Sequence, residues 1–278
     1  MRPNWPRLLL VLGTLAVVIG VVWAGSTIWS STSRTPAPIE DQCRAEADGA
    51  GVNLTLEQAR NATVIASVGL TRGLPERAVA IALATAYQES GIRNLDYGHA
   101  DSVGLFQQRP SKGWGSVKQI MDPYYSSAKF YEALVRVRNW RTGDMNDIAQ
   151  AVQRSAHPEA YRKHVSKARV LAAVFTGTAP GGFTCKVGKP GEADTDGLAR
   201  LLRVSFGEQA EVGGGSGLTV RAASEELAWS AATLTIAHTG QYGVARVSVG
   251  GAEWKHDTRA LGAWRGSGGG RVAGIAFR

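Results

Sequence analysis

Glu89 and Ser90 close an apolar stretch that runs from Pro75 to Tyr87, and Gly91 follows them at once. The stretch is rich in Ala, Leu and Ile and sets Val79, Leu83, Ala86 and Ser90 three and four residues apart. That spacing predicts a mostly buried helix with Pro75 at its first position and Gly91 at its C-cap. A carboxylate in the last turn of such a helix meets the negative end of the helix dipole, and burial disfavours its charge further. Both effects favour a protonated Glu89 near neutral pH, which is the state a general acid needs. Asp96 and Asp101 follow seven and twelve residues later as the candidates for an assisting carboxylate.

The elements that must position these groups are helical by the same reasoning. Thr55 and Gln58 form a capping-box pair, and Ala62, Val64, Ile65 and Val68 continue the helix they open. Asp122-Pro123 starts a helix within Met121 to Arg138; another runs from Met145 to Ser155, capped by Asn146 or Asp147; a third covers Ala160 to Thr176. Ile39 to Gly51 is polar and carries no pattern apart from Cys43. Arg93 to Ser116 holds four glycines and Pro110 with little periodicity, which predicts a long functional loop. The expected result is an all-α domain of five or six helices.

After a boundary at Val187 to Asp196 the texture changes. A short helix over Leu198 to Val204, a glycine-rich loop over Val212 to Gly217 and a helix opened by Ser224 precede the alternating run Val244 to Val249. Gly250-Gly251 signals a hairpin, Trp254 falls in the returning strand, and Arg271 to Arg278 reads as a last strand. This is a small α+β region without a recognisable chemical motif.

The 278 residues carry a formal charge of +8, a basic balance suited to polyanions in general. Leu8 to Ile28 is a run of 21 uncharged residues behind Arg2 and Arg7, long enough to cross a bilayer and oriented for export of the chain beyond it. The competing reading is a cleaved signal ending near Ala24-Gly25. Either places the functional part outside the cytoplasm and makes a nucleic-acid role unexpected. In an oxidising exterior, Cys43 and Cys185 can close the domain between them with a disulfide. The cysteines and five histidines lack the close spacing of a zinc cluster, so neither a metal nor another cofactor is expected.

The pairing of Glu89-Ser90 with Ser102-x-Gly104-Leu105-Phe106-Gln107 resembles the signature of the lysozyme-like superfamily, in particular soluble lytic transglycosylases and goose-type lysozymes. The longer string ALATAYQESGIRNLDYGHADSVGLFQQRPSKGWG is similar to a group of secreted or membrane-anchored lysozyme-like proteins of high-GC Gram-positive bacteria. The resemblance covers roughly Cys43 to Gly177, about half the chain.

Together with the composition and patterning above, it gives a mainly α fold class, with 1–29 as a transmembrane anchor or signal, 30–42 as linker, 43–185 as the lysozyme-like domain, 186–196 as linker and 197–278 as a small α+β domain. The implied activity is cleavage of peptidoglycan at the MurNAc-GlcNAc β-1,4 bond with Glu89 as acid and base, by transglycosylation or by lysozyme-type hydrolysis. A catalytically silent wall-binding or scaffold protein is the reading from another class. Hydrolysis of the inverting kind needs a second carboxylate, and goose-type lysozymes place assisting aspartates in the region of Asp96 and Asp101. The loop would then line a saccharide groove, with Tyr97, Phe106 and Trp114 as flat faces and Asn94, Ser102, Gln107 and Gln108 as donors and acceptors. Ser90 would orient Glu89, Gln153 would replace a family amide, and Tyr161 would support the catalytic glutamate. The implied partners are peptidoglycan strands, other envelope proteins and the membrane itself; the implied location is a single-pass membrane protein with an exported C-terminal part, or a secreted one.

Overall fold

The computed structural model describes residues 40–155 and 159–278. The described residues open on a hairpin, β1 (Gln42–Ala47) and β2 (Ala50–Leu54), and β1 pairs on its other side with β3 (Phe183–Lys186), giving an antiparallel sheet of order β2-β1-β3. Between β1-β2 and β3 run α1 (Leu56–Thr71), α2 (Glu76–Ser90), the one-turn α3 (Val117–Ile120), α4 (Pro123–Leu134), α5 (Met145–Gln153) and α6 (Arg162–Thr176).

Beyond β3 come α7 (Thr195–Phe206), β4 (Ala210–Gly214), β5 (Leu218–Ala222), α8 (Glu225–Ala237), the short α9 (Thr239–Tyr242), β6 (Val244–Val249), β7 (Ala252–Lys255), β8 (Ala263–Arg265) and β9 (Val272–Phe277). The six strands form a second antiparallel sheet of order β4-β5-β9-β6-β7-β8.

The mainly α expectation is therefore corrected: the fold is mixed α/β with two well-formed sheets. The first sheet escapes a reading of periodicity because its buried side is small. Cys43 and Ala45 on β1 and Val52 and Leu54 on β2 face inward, while Arg44, Gly51 and Asn53 face out, and few of these favour strands intrinsically. Its third strand lies more than a hundred residues away, so local pattern cannot announce the pairing. Cys43 and Cys185 stand opposite each other across β1 and β3 and are joined by a disulfide over a sequence separation of 142.

Several local expectations change in detail. Pro75 is the extended N-cap of α2, not its first residue; Asp144 caps α5 through bonds from the amides of Asn146 and Asp147; β4 takes the first half of the glycine-rich segment. The capping box of Thr55 and Gln58 is formed in both directions.

Among the described residues no helix is long and apolar enough to cross a membrane. The segment Leu8 to Ile28, on which the membrane span and the single-pass location rested, lies outside the described residues. Membrane anchoring through an N-terminal helix is thus unsupported and is not carried further.

One continuous core joins the helices to the second sheet. Its centre is α8, which is buried from Leu227 to Ala237 on every side, as a helix apolar all round must be. It packs against α1 and α6 on one side and β3, β5, β6 and β9 on the other. Ser230 Oγ donates to Phe175 O at 2.7 Å, satisfying its hydroxyl inside that contact.

Candidate functional site

The whole of Ala78 to Ala86 is buried, so α2 is held along most of its length and delivers its last turn to a defined place. The turn ends in two consecutive left-handed residues, Gly91 at φ 65° and Ile92 at φ 58°. Glycine adopts this conformation freely, but a β-branched residue there is strained by on the order of 1–3 kcal/mol. Ile92 accepts the strain fully buried, with its N–H donating to Ala86 O at 3.0 Å.

Glu89 sits half-buried in that last turn. Tyr161, directly before α6 and fully buried, donates its hydroxyl to Glu89 Oε1 at 2.7 Å. Gln153, the last residue of α5, lies beside the same carboxyl, where it favours the anion, and donates Nε2 to Phe106 O at 2.8 Å. The end of α5 and the start of α6 thus bracket one carboxyl at the end of α2. Burial pushes the Glu89 pKa up, and Tyr161 and Gln153, which favour the anion, oppose that rise without cancelling it. Burial, and then the neighbouring Glu89 charge, likewise push the Tyr161 phenol up, so it stays a donor. A carboxyl of this kind can give a proton in one step and hold the resulting negative charge in the next.

Ser90 acts on the loop rather than on the carboxyl. Its Oγ donates to Leu105 O at 2.7 Å and accepts the Arg93 N–H at 3.2 Å, tying residues 93–105 to the helix end.

The loop is a folded object. An isolated bridge pairs Val103 with Gln108, and Gly104 N–H donates to Leu95 O at 2.6 Å. Asp101 accepts from Arg109 Nε at 2.7 Å and from the Ser111 amide and hydroxyl at 2.8 and 2.9 Å, which holds its pKa well below the usual carboxylate range. Gln107, at φ 46°, donates to Tyr97 O at 3.2 Å. Gly98 packs so tightly on the Gln107 amide that a Cβ there would lie 1.8 Å from its Oε1.

The other expected contact residues divide into two groups. Phe106 is fully buried and stacks on Phe130 at 4.6 Å; Gln108 is 1% exposed and donates to Ser126 O at 3.2 Å; Ser102 is buried with its hydroxyl donated to His99 O. These three support the loop from inside and offer no side chain to a ligand in this conformation. Asn94 is half-buried and donates Nδ2 to Met121 O at 2.8 Å; Trp114 is half-buried against the core; Asp96 is exposed and Tyr97 is 65% exposed. Tyr97, Asp96 and Trp114 are therefore the members of the set with surface to present.

His164 was not singled out by sequence, since a lone histidine on a helix carries no spacing signal. It lies one turn after Tyr161, stacks on Tyr87 at 5.4 Å with the rings 6° from parallel, and pairs its Nε2 with Gln88 Oε1 at 3.3 Å. Burial, then the charges of Lys163 and Lys167, push its pKa down.

Among the described residues no group of three or more His, Cys, Asp and Glu side chains could hold a metal ion. A groove of about 700 Å3 runs along α2 and α6 between Glu76, Arg77, Arg162 and Arg169, and Glu89 is not in its lining. Its Arg77 and Arg162 are already engaged, with Trp140 O and Gly143 O and with Asp144 and Glu159.

No protein-family model matches this chain, and no curated protein does.

Proposed function

We propose that this chain cleaves the glycan strands of peptidoglycan at the MurNAc-GlcNAc β-1,4 bond as a lytic transglycosylase, with Glu89 as general acid and then general base. The observation that carries the proposal is a half-buried carboxyl with a raised pKa, held by the Tyr161 hydroxyl with Gln153 beside it, next to a loop that presents Tyr97 and Trp114. The resemblance of Glu89-Ser90 and Gly104-Leu105-Phe106-Gln107 to the lysozyme-like signature supports the choice of substrate.

Protonated Glu89 gives its proton to the bridging oxygen as the bond from that oxygen to the muramyl C1 breaks and positive charge develops on the sugar. The Glu89 carboxylate, now accepting from Tyr161, then removes the proton from the muramyl 6-hydroxyl. That oxygen closes on C1, leaving an anhydro end and returning the proton to Glu89. One carboxyl is enough for both transfers. The engagement of Asp101 by Arg109 and Ser111 favours this version over an inverting hydrolysis, for which exposed Asp96 is the remaining candidate base.

The test is to incubate the chain and its Glu89→Gln variant with purified peptidoglycan and weigh the released muropeptides. Products about 18 Da lighter than hydrolysed ones, absent with the variant, identify the transglycosylase; reducing ends identify a hydrolase; binding without fragments from either form rejects the enzyme reading in favour of a wall-binding protein.

A further inference from the structure

The left-handed pair that follows Glu89 leaves two carbonyl groups, Gly91 O and Ile92 O, pointing away from α2. Each is met by a side-chain amide of α1. Gln58 donates Nε2 to Gly91 O at 2.9 Å, and Asn61 donates Nδ2 to Ile92 O at 2.9 Å. Gln58 is itself fixed, because its Oε1 accepts the Thr55 N–H at 2.9 Å as half of the capping box of α1. The start of α1 is thus fastened to the end of α2 at the two residues after Ser90.

We infer that Gln58 and Asn61 are positioning residues for Glu89, clamping the Gly91-Ile92 turn so that the carboxyl stays desolvated against Tyr161 and Gln153. The inference rests on the proposed role of Glu89 for its catalytic consequence, but the clamp itself is a matter of geometry. Ile92 disfavours positive φ, so the turn is a conformation that has to be held. Removing a donor leaves a part-buried carbonyl unpaired and lets Ile92 relax toward ordinary backbone. The last turn of α2 then opens, and with it the burial that raises the Glu89 pKa. Neither amide touches substrate; each acts through the helix end.

Two variants separate this role from general stability. Asn61→Leu keeps size, neutrality and helix preference while deleting the donor. Gln58→Glu keeps an acceptor for the Thr55 N–H, and so the cap, while replacing the donor to Gly91 O. The expected result is a kcat on peptidoglycan lower by about tenfold or more with KM within about twofold, in variants that still melt cooperatively. In Asn61→Leu the carboxyl-carbon NMR titration of Glu89 moves to lower pH, and in both variants the Ile92 amide exchanges at least about tenfold faster. Folded variants with an unchanged Glu89 midpoint, Ile92 exchange and kcat overturn the inference. If Asn61→Leu does not fold, Gln58→Glu decides it through kcat and Ile92 exchange. If the wild type cleaves no peptidoglycan, the proposed function fails by itself, and the Glu89 titration and Ile92 exchange still decide whether the clamp exists.

Discussion

The Tyr161 hydroxyl donates to Glu89 Oε1 at 2.7 Å across 72 positions of sequence. A buried phenol with a raised pKa cannot serve as the acid at neutral pH, but it stabilises the carboxylate once Glu89 has given up its proton. On the proposed mechanism the pair divides the work: Glu89 moves the proton and Tyr161 sets how strongly it is held.

Glu89→Gln should remove the transferable proton while keeping shape and hydrogen-bonding capacity. Fragment release from peptidoglycan is expected to fall by about 10²- to 10⁴-fold, with glycan binding retained in a pull-down. Release at the wild-type rate would sink the assignment of Glu89.

Activity should follow the protonated form of Glu89, present at low pH and lost as pH rises through its raised pKa. Tyr161→Phe removes a bond that favours the anion, so the alkaline limb of the pH profile moves to higher pH while kcat falls by about tenfold. A limb that moves to lower pH would show that Tyr161 acts mainly by keeping water out.

The same shift has a stability consequence. Because the folded pKa of Glu89 lies above its unfolded value, its contribution is most favourable below the unfolded value and is lost as pH rises through the folded one. Glu89→Gln has no such dependence. Its melting temperature relative to wild type should rise from acidic to neutral pH, which scanning calorimetry at the two pH values can check.

Phe106→Ala opens a hole in the Phe106–Phe130 stack and should destabilise the fold by about 3–5 kcal/mol in urea titrations. Tyr97→Ala, at a position 65% exposed, should leave stability within about 0.5 kcal/mol and raise KM for peptidoglycan. Equal stability losses at the two positions would contradict their different placements.

Reducing the Cys43–Cys185 bond releases a closed loop of 142 residues and should cost about 2–5 kcal/mol, seen as a lower melting temperature in reductant. Cys43→Ser with Cys185→Ser should match the reduced protein.

The second sheet was legible in part because Val244 to Val249 carries a strand-like alternation, broken at the irregularity between Val244 and Arg246, and Gly250-Gly251 marks its hairpin, both local signals. The first sheet was not, since β1 hides its inward face in Cys43 and Ala45 and its partner β3 lies beyond all the helices between them in sequence. The site divides in the same way. Glu89 was readable from an apolar helix ending in Gly91, and the Thr55-Gln58 capping box from four consecutive residues. That Phe106 and Gln108 turn inward while Tyr97 stays outside was not, because an aperiodic loop takes its side-chain directions from the packing around it.

Local composition by itself determined where α2 stops and that a carboxyl lies in its last turn, because helix propensity, apolar spacing and a C-cap glycine all act within a few residues. Tertiary structure alone decided what that carboxyl meets. Tyr161 bonds the carboxyl, Gln58 and Asn61 bond the turn after it, and Gln153 bonds Phe106 O beside it, and these bonds exist only once a shared core has brought their segments together.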